Sequence, residues 1–175
     1  MSRFTLPLIL FALLVVVLAV GIKQSPDKDL IPSPLIGKAA PQFSLPNLID
    51  PGQRVSSTQL RGHWYLFNVW GTWCGSCRLE QPMLLKIKQS GLIPLVGLDW
   101  KDDDSDALSF LKAEGDPYET IAVYHDGSEA IMWGVYGAPE TFLINPQGIV
   151  VRGFDGPLSY QQMAAAVAPL IGKRS

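Results

Sequence analysis

Cysteine and histidine are both scarce in this chain of 175 residues, which has only two of each. A structural zinc site usually takes four such ligands, and His63 and His125 lie far from both cysteines in the sequence, so no metal site is expected. Covalent haem attachment requires a histidine directly after the second cysteine of a C-x-x-C pair, and Arg78 occupies that position. We therefore expect neither a bound metal nor an organic cofactor.

Positive charge is not in excess either. The 14 lysines and arginines are outnumbered by 16 aspartates and glutamates, which gives a formal net charge of −2. Because nucleic-acid-binding domains carry a basic patch or stripe, the composition gives no indication of a nucleic-acid partner. The length predicts a single folded domain.

The two cysteines, Cys74 and Cys77, form a C-x-x-C pair between two segments of different pattern. Residues 65–70 are apolar and β-prone, which predicts a buried strand. Residues 78–86 follow a helical pattern. The cysteines should therefore lie where a central strand leads into a helix, whose first turn has free N–H groups and a positive dipole end that stabilise a thiolate.

Residues three apart lie on one face of a helix, so Cys77 can close a disulfide with Cys74 or attack one that Cys74 has formed. A static disulfide is the alternative, but its loop would be very short, and stabilisation by a disulfide rises with loop length. Redox chemistry is therefore favoured. Cys74 follows Trp73 and is nearer the helix N-terminus, so we expect it to be the more exposed cysteine and the attacking thiol, with Cys77 resolving the mixed disulfide.

The longest apolar run lies at the N-terminus. Residues 4–22 contain 19 residues without a charge, close to the roughly 20 that a membrane-spanning helix needs. We expect a transmembrane signal-anchor at residues 1–22, a proline-containing linker at 23–40 and the folded domain at 41–175.

A cleaved signal peptide is the alternative for the N-terminus. Its apolar core is usually about 7–15 residues long, and residues 19–21, Ala-Val-Gly, resemble a cleavage site. Arg3 favours a cytoplasmic N-terminus, and a disulfide-permissive compartment favours a periplasmic domain.

The remaining chain alternates short strands with helices. The pattern predicts strands at 42–45, 54–57, 65–70, 92–100, 121–124, 140–144 and 149–152, and helices at 78–86, 105–115 and 160–171, with a helical turn or two in 129–136. This order predicts an α/β fold in which a central mixed sheet has helices on both faces.

Several stretches resemble known proteins. Residues 73–77, Trp-Cys-Gly-Ser-Cys, after an apolar strand resemble the active site of the thioredoxin fold. Residues 134–144, Gly-Val-Tyr-Gly-Ala-Pro-Glu-Thr-Phe-Leu-Ile, resemble the cis-proline segment of the CcmG/DsbE family, and residues 101–103 and 115–118 are also similar to that family. The resemblance covers nearly the whole chain. It implies a thioredoxin-like fold with an N-terminal β-hairpin addition, preceded by a single transmembrane helix.

CcmG/DsbE proteins are membrane-anchored thiol-disulfide proteins of cytochrome c maturation. The resemblance implies a reductant in the bacterial periplasm, anchored in the inner membrane through residues 4–22. Its target would be an apocytochrome c or a thiol protein of the same process, and a membrane-embedded donor of the DsbD/CcdA type would supply electrons. Two alternatives stay open: a general periplasmic reductase of the TlpA/ResA type, and a non-catalytic apocytochrome- or haem-binding module with a static disulfide.

The resemblance also assigns substrate contacts. Pro139 would follow a cis peptide bond and pack against the disulfide, and the backbone of Ala138 would pair with an extended partner peptide. Glu140 would contribute to an acidic mouth, although a solubilising charge on an edge strand is the alternative. Trp73 would be a partly exposed contact surface.

The proton acceptor departs from the thioredoxin pattern. Minimal thioredoxins place a buried acid on the strand before the active site, where this chain has Asn68, which cannot take up a proton at neutral pH. CcmG-like proteins carry an acid at the place of Glu80, three residues after Cys77 on the same helix face. We expect Glu80 to accept the Cys77 proton, with a solvated surface glutamate as the alternative.

Overall fold

A computed structural model describes residues 5–23, 33–126 and 133–171. The chain separates into two compact units, Met1–Leu30 and Ile31–Ser175. In the first unit, Thr5–Lys23 forms helix α1 of 19 residues. Among the described residues, no helix combines the length and the apolar character needed to cross a membrane. The transmembrane helix expected from the sequence is therefore not supported by the structure.

The second unit contains a five-stranded sheet, a two-stranded ribbon and, among its described residues, three helices. The elements are β1 (Ser44–Pro46), β2 (Arg54–Ser56), β3 (Tyr65–Trp70), α2 (Gly75–Ser90), β4 (Leu95–Trp100), α3 (Asp104–Glu114), β5 (Thr120–Tyr124), β6 (Glu140–Ile144), β7 (Val150–Asp155) and α4 (Tyr160–Ile171). The sheet order is β5-β4-β3-β6-β7. Strands β3, β4 and β5 are parallel, whereas β6 runs antiparallel to both β3 and β7. This arrangement confirms the predicted mixed sheet, and β1 and β2 form the predicted N-terminal hairpin.

Several predicted elements have bounds in the structure that are shifted by a few residues, and two differences concern the start of β4 and the segment 129–136. β4 begins at Leu95 instead of residue 92, because Pro94 has no N–H to donate and contributes only its carbonyl, which accepts the Leu66 N–H at 2.9 Å. Part of the helical segment predicted at 129–136 lies outside the described residues. Its described part, residues 133–136, forms a turn and irregular backbone.

β3 is buried along its whole length and separates two cores. Leu66 and Trp70 belong to a core that contains both cysteines and residues of α2, α3 and α4. Phe67 and Val69 alternate with them and belong to a second core, built with the β1–β2 ribbon and Trp133. The predicted α/β fold, a central mixed sheet with flanking helices, is confirmed. Among the described residues, the helices contribute to the first core, and the ribbon and irregular segments contribute to the second.

Phe67 should contribute strongly to stability, because its ring stacks on Trp133 with centroids 4.3 Å apart and packs against Phe43 at 5.5 Å. We expect Phe67→Ala to lower the free energy of unfolding by about 3–5 kcal/mol, measured by urea denaturation. Leu79→Ala is the control, since Leu79 is 78% exposed, and should change it by about 0.5 kcal/mol or less. Equal effects of the two substitutions would contradict this description of the second core.

Candidate active site

The structure contains the Cys74–Cys77 disulfide at the start of α2. Cys74 is the N-cap residue, with an extended backbone, and its Sγ accepts a hydrogen bond from the Cys77 N–H at 3.0 Å. The two Cα atoms are 5.3 Å apart. After reduction, the same N–H and the positive end of the helix dipole would stabilise a Cys74 thiolate.

Exposure does not distinguish the two cysteines. Each is 4% exposed, so the expectation that Cys74 is the more exposed is wrong for the oxidised protein. The reason is Ala138, whose carbonyl oxygen lies 3.2 Å from the Cys74 Sγ. What distinguishes Cys74 is its position at the helix terminus, where its sulfur receives an N–H.

Trp73 remains available for contact with a partner, because it is 51% exposed. Its indole Nε1 donates to the Trp100 carbonyl at 2.9 Å, and the two rings meet edge to face at 5.7 Å. Gly71 permits this approach, since a Cβ there would lie 2.5 Å from the Trp73 Nε1 and 3.1 Å from the Trp100 oxygen. Trp70 is buried in the core, as expected.

The loop before Cys74 is also fastened through Thr72. The carboxylate of Asp102 accepts hydrogen bonds from the Thr72 N–H and from the Thr72 Oγ1, the latter at 2.6 Å. Because β3 and β4 are parallel neighbours, their ends lie at the same edge of the sheet, and Asp102 positions the loop between β3 and Cys74.

The Ala138–Pro139 peptide bond is cis, which confirms the expected backbone geometry. Pro139 is buried, and its carbonyl accepts the Gly156 N–H at 3.0 Å. Ala138 is only half-buried and packs against both cores. Its backbone therefore lies beside the sulfur of Cys74 at the rim of the site, and its pairing with a partner peptide stays a prediction.

Glu140 is the first residue of β6 and lies opposite Asp155 of β7. Burial raises the pKa of Glu140 to about 7, and the charge of Asp155 adds to this rise. The alternative of a charge on an edge strand is wrong, because β6 pairs with β3 on one side and with β7 on the other. A contact between Glu140 and substrate stays a prediction.

Glu80 lies one turn after Cys77 in α2 and is only 2% exposed, so the alternative of a solvated surface glutamate is wrong. Its Oε1 accepts from the Asn68 Nδ2 at 2.8 Å, and its Oε2 accepts from the Leu158 N–H at 2.8 Å. Buried polar groups in proteins are almost always hydrogen-bonded, and both oxygens of this carboxyl group have a partner.

Burial raises the pKa of Glu80 to about 7. The hydrogen bonds from Leu158 and Asn68 oppose this rise, because they stabilise the charged form. A carboxyl group with a pKa near 7 can take up and release a proton at neutral pH. Glu80 therefore has the property required of a proton acceptor, and transfer of the Cys77 proton to it stays a prediction.

The partners of Asn68 were not predicted. Its Nδ2 also donates to the Thr141 Oγ1 at 2.9 Å, and its Oδ1 accepts from the Tyr118 hydroxyl at 2.8 Å. These contacts fix the orientation of the amide, since two acceptors lie on its Nδ2 side and a donor on its Oδ1 side. Thr141 and Tyr118 are 73 and 50 residues away in the sequence, so spacing gave no signal. Both do belong to stretches that carried the resemblance.

Comparison with known families supports this site. The AhpC/TSA family model matches residues 36–152, a range that includes the cysteine pair, Glu80 and the segment around Pro139. A thio-disulfide isomerase from Thermus thermophilus has a similar crystal structure, with a TM-score of 0.65. The match covers 78% of this chain and 96% of that protein at 24% identity, and therefore shows the fold alone.

Curated relatives are more similar in sequence. The thiol:disulfide interchange protein DsbE of Allochromatium vinosum is 41% identical over 173 residues, which cover 98% of this chain and 94% of the relative. DsbE of Pseudomonas aeruginosa is 39% identical over 165 residues, which cover 94% of this chain and 90% of the relative. The chain therefore belongs to the DsbE thiol:disulfide interchange proteins of the AhpC/TSA family.

Proposed function

We propose that this chain is a reductant of cytochrome c maturation, held in the bacterial inner membrane by residues 4–22 with its folded domain in the periplasm. It keeps the CxxCH cysteines of an apocytochrome c, or a partner thiol protein, reduced for haem attachment. The observation that carries the chemistry is the disulfide at the α2 N-terminus, with Cys74 as N-cap. Support for the cytochrome role comes from the sequence resemblance, and support for the anchor from the uncharged run of 19 residues.

The reaction starts from the dithiol. The Cys74 thiolate attacks one sulfur of the partner disulfide and forms a mixed disulfide, while the other partner sulfur leaves as a thiolate and takes up a proton. Cys77 then loses its proton and attacks the Cys74 sulfur. The second partner sulfur leaves as a thiolate and also takes up a proton. This step restores the Cys74–Cys77 disulfide, and the partner has then gained two electrons from the cysteine pair and two protons. A membrane-embedded donor of the DsbD/CcdA type reduces the disulfide for the next cycle.

In this proposal the partner segment that carries the disulfide binds beside Ala138. The Ala138 carbonyl is 3.2 Å from the Cys74 sulfur, so an extended partner segment at this position lies beside an accessible backbone and can pair with it as an added strand. Trp73 offers an exposed aromatic surface on the same loop as Cys74, and Glu140 adds an acidic group next to Pro139.

Glu80 accepts the proton of Cys77 in this proposal. Asn68 cannot do so, but it holds the Glu80 carboxyl group inside the core by a hydrogen bond of 2.8 Å. The raised pKa of Glu80, about 7, allows the group to be ionised before the transfer and to release the proton afterwards.

The alternatives differ in partner and in activity. Thiol:disulfide interchange, the activity of the family, excludes a module with a static disulfide. A general periplasmic reductase of the TlpA/ResA type uses the same chemistry and differs only in how broadly it accepts partners.

Trapping in cells tests the assigned cysteine roles and the partner together. Cys77→Ser should accumulate mixed disulfides on Cys74, because the resolving thiol is missing, whereas Cys74→Ser should accumulate none. The trapped complexes, identified by mass spectrometry after purification from the membrane fraction, should contain apocytochrome c or a thiol protein of its maturation.

Each outcome addresses one part of the proposal. Equal trapping by both variants would contradict the roles of Cys74 and Cys77. A broad set of unrelated periplasmic proteins would favour the general reductase. Recovery of the full-length chain in the soluble fraction would contradict the membrane anchor.

Glu80→Gln should slow resolution of the mixed disulfide by about 100-fold, the low end of the usual loss for a general base, because water can partly replace it. In the unaltered protein the resolution rate should rise as pH increases through about 7, the pKa of Glu80, as the carboxyl group becomes ionised. In the variant this rise should be absent. Stopped-flow measurements of a preformed mixed disulfide across pH provide the test, and an unchanged pH profile in Glu80→Gln would exclude Glu80 as the acceptor.

A further inference from the structure

Asp99 is a second buried carboxyl group, and the reaction described above does not use it. It lies in β4, in register with Trp70 of β3, and is 1% exposed. Among the described residues, neither of its carboxyl oxygens has a hydrogen-bond partner, and neither does the indole Nε1 of Trp70. Burying a carboxylate without a partner is costly, so the protonated form of Asp99 is favoured.

The position of Asp99 connects it to the redox centre. Trp70, opposite Asp99, belongs to the same core as Cys74 and Cys77. The active-site loop is hydrogen-bonded to residues that follow Asp99. Trp73 donates to the Trp100 carbonyl, and Thr72 donates to the Asp102 carboxylate. Charge on Asp99 therefore acts in the apolar surroundings of the cysteine pair, where solvent screens it little.

The two charged groups that shift the pKa of Asp99 are both negative. Burial raises the pKa of Asp99 to about 8, and the negative charges of Asp102 and Asp104 add to the rise. The Nε2 of His125 lies 3.0 Å from the carboxylate of Asp104.

Tyr118 is a further buried titratable group on which the charge of Asp99 acts. Burial raises the pKa of Tyr118, and the charges of Glu80 and Asp99 both add to this effect. The charges of both buried carboxyl groups therefore act on Tyr118, and its hydroxyl donates to the Asn68 amide that holds Glu80.

We propose that Asp99 is a positioning residue of the redox centre that binds a proton when the Cys74–Cys77 disulfide is reduced and releases it on oxidation. Reduction replaces an uncharged disulfide by a dithiol that forms a thiolate, and a negative charge in the same core disfavours a second one on Asp99. The proposal rests only on thiol:disulfide interchange, so it is independent of the cytochrome role and of the identity of the partner.

The proton balance changes with pH. While Asp99 is protonated in both states, a donor dithiol supplies two electrons and two protons; one proton stays on Cys77 and the other goes to solvent as the Cys74 thiolate forms. Where Asp99 is ionised in the oxidised protein, the same step yields the thiolate and a neutral carboxyl group, because Asp99 binds the second proton, so reduction takes up one proton more than in the first case. For each additional proton that reduction takes up, the equilibrium constant of reduction falls by about tenfold when the pH rises by one unit. The reduced protein thus becomes a stronger reductant as pH rises above about 8.

Asp99→Asn tests this coupling, because the amide has a similar shape and does not titrate. Each protein is equilibrated with dithiothreitol redox buffers from about pH 6 to about pH 10, and its reduced fraction is measured by thiol labelling. Below about pH 7 the equilibrium constants of the unaltered protein and the variant should keep a constant ratio. Above about pH 8 the constant of the unaltered protein should fall further, by up to about tenfold per pH unit relative to the variant.

Asp106→Asn is the matched control, since it removes one negative charge from an exposed position on α3. The equilibrium constant of reduction of Asp106→Asn should keep the same ratio to the constant of the unaltered protein at every pH. If Asp99→Asn does not fold, Asp99→Leu, which removes both oxygens, takes its place. A ratio between the unaltered protein and the Asp99 variant that stays constant over the whole pH range would overturn the proposal, as would an equal pH dependence in the control.

Discussion

The carboxyl group of Glu80 is buried in the core beside the redox pair, and its burial is costly unless directed hydrogen bonds offset the loss of water. Its two oxygens receive N–H groups from Asn68 on β3 and from Leu158, just before α4. The site therefore requires α2, the central strand and the start of the last helix to meet at fixed distances. Removing either donor would leave a buried oxygen unpaired, at a cost of about 1–3 kcal/mol or more.

The redox pair depends on the same arrangement. The first turn of α2 supplies the N–H that the Cys74 sulfur accepts, and the segment before β6 supplies the Ala138 carbonyl beside that sulfur. Both positions lie where β3 ends, between parallel and antiparallel neighbours. In open α/β sheets, sites form at the carboxyl ends of strands, where loops from several elements converge. Asn68 on β3 has an accessory role here, because its side-chain amide holds the carboxyl group of Glu80 on α2 by a hydrogen bond.

The local sequence pattern was enough to predict much of the fold around the cysteine pair. The apolar strand, the lone C-x-x-C pair and the following helix lie within a continuous stretch of about 25 residues, so period and spacing determine their relation. The three-residue offset likewise placed Glu80 on the face of Cys77. The cis peptide bond at Pro139 came from the resemblance, since most X-Pro bonds are trans.

Contacts between distant segments could not be predicted from the sequence. Tyr118 and Thr141 reach Asn68 from 50 and 73 residues away, and nothing in their local pattern indicates the meeting. The equal burial of Cys74 and Cys77 depends on Ala138, which comes from a different part of the chain. Asp99 lies within the predicted strand 92–100, but the burial of its carboxyl group follows from the position of β4 between β3 and β5.

The pKa of Glu80 is the quantity on which this account depends most directly. It can be measured in the oxidised protein from the pH dependence of the 13C chemical shift of its side-chain carboxyl, with the resonance assigned by its loss in Glu80→Gln. The account predicts a midpoint at about pH 7, because burial outweighs the two hydrogen bonds that favour the charged form. A midpoint close to 4.5, the value of an unperturbed glutamate, would contradict it and exclude Glu80 as the acceptor of the Cys77 proton at neutral pH.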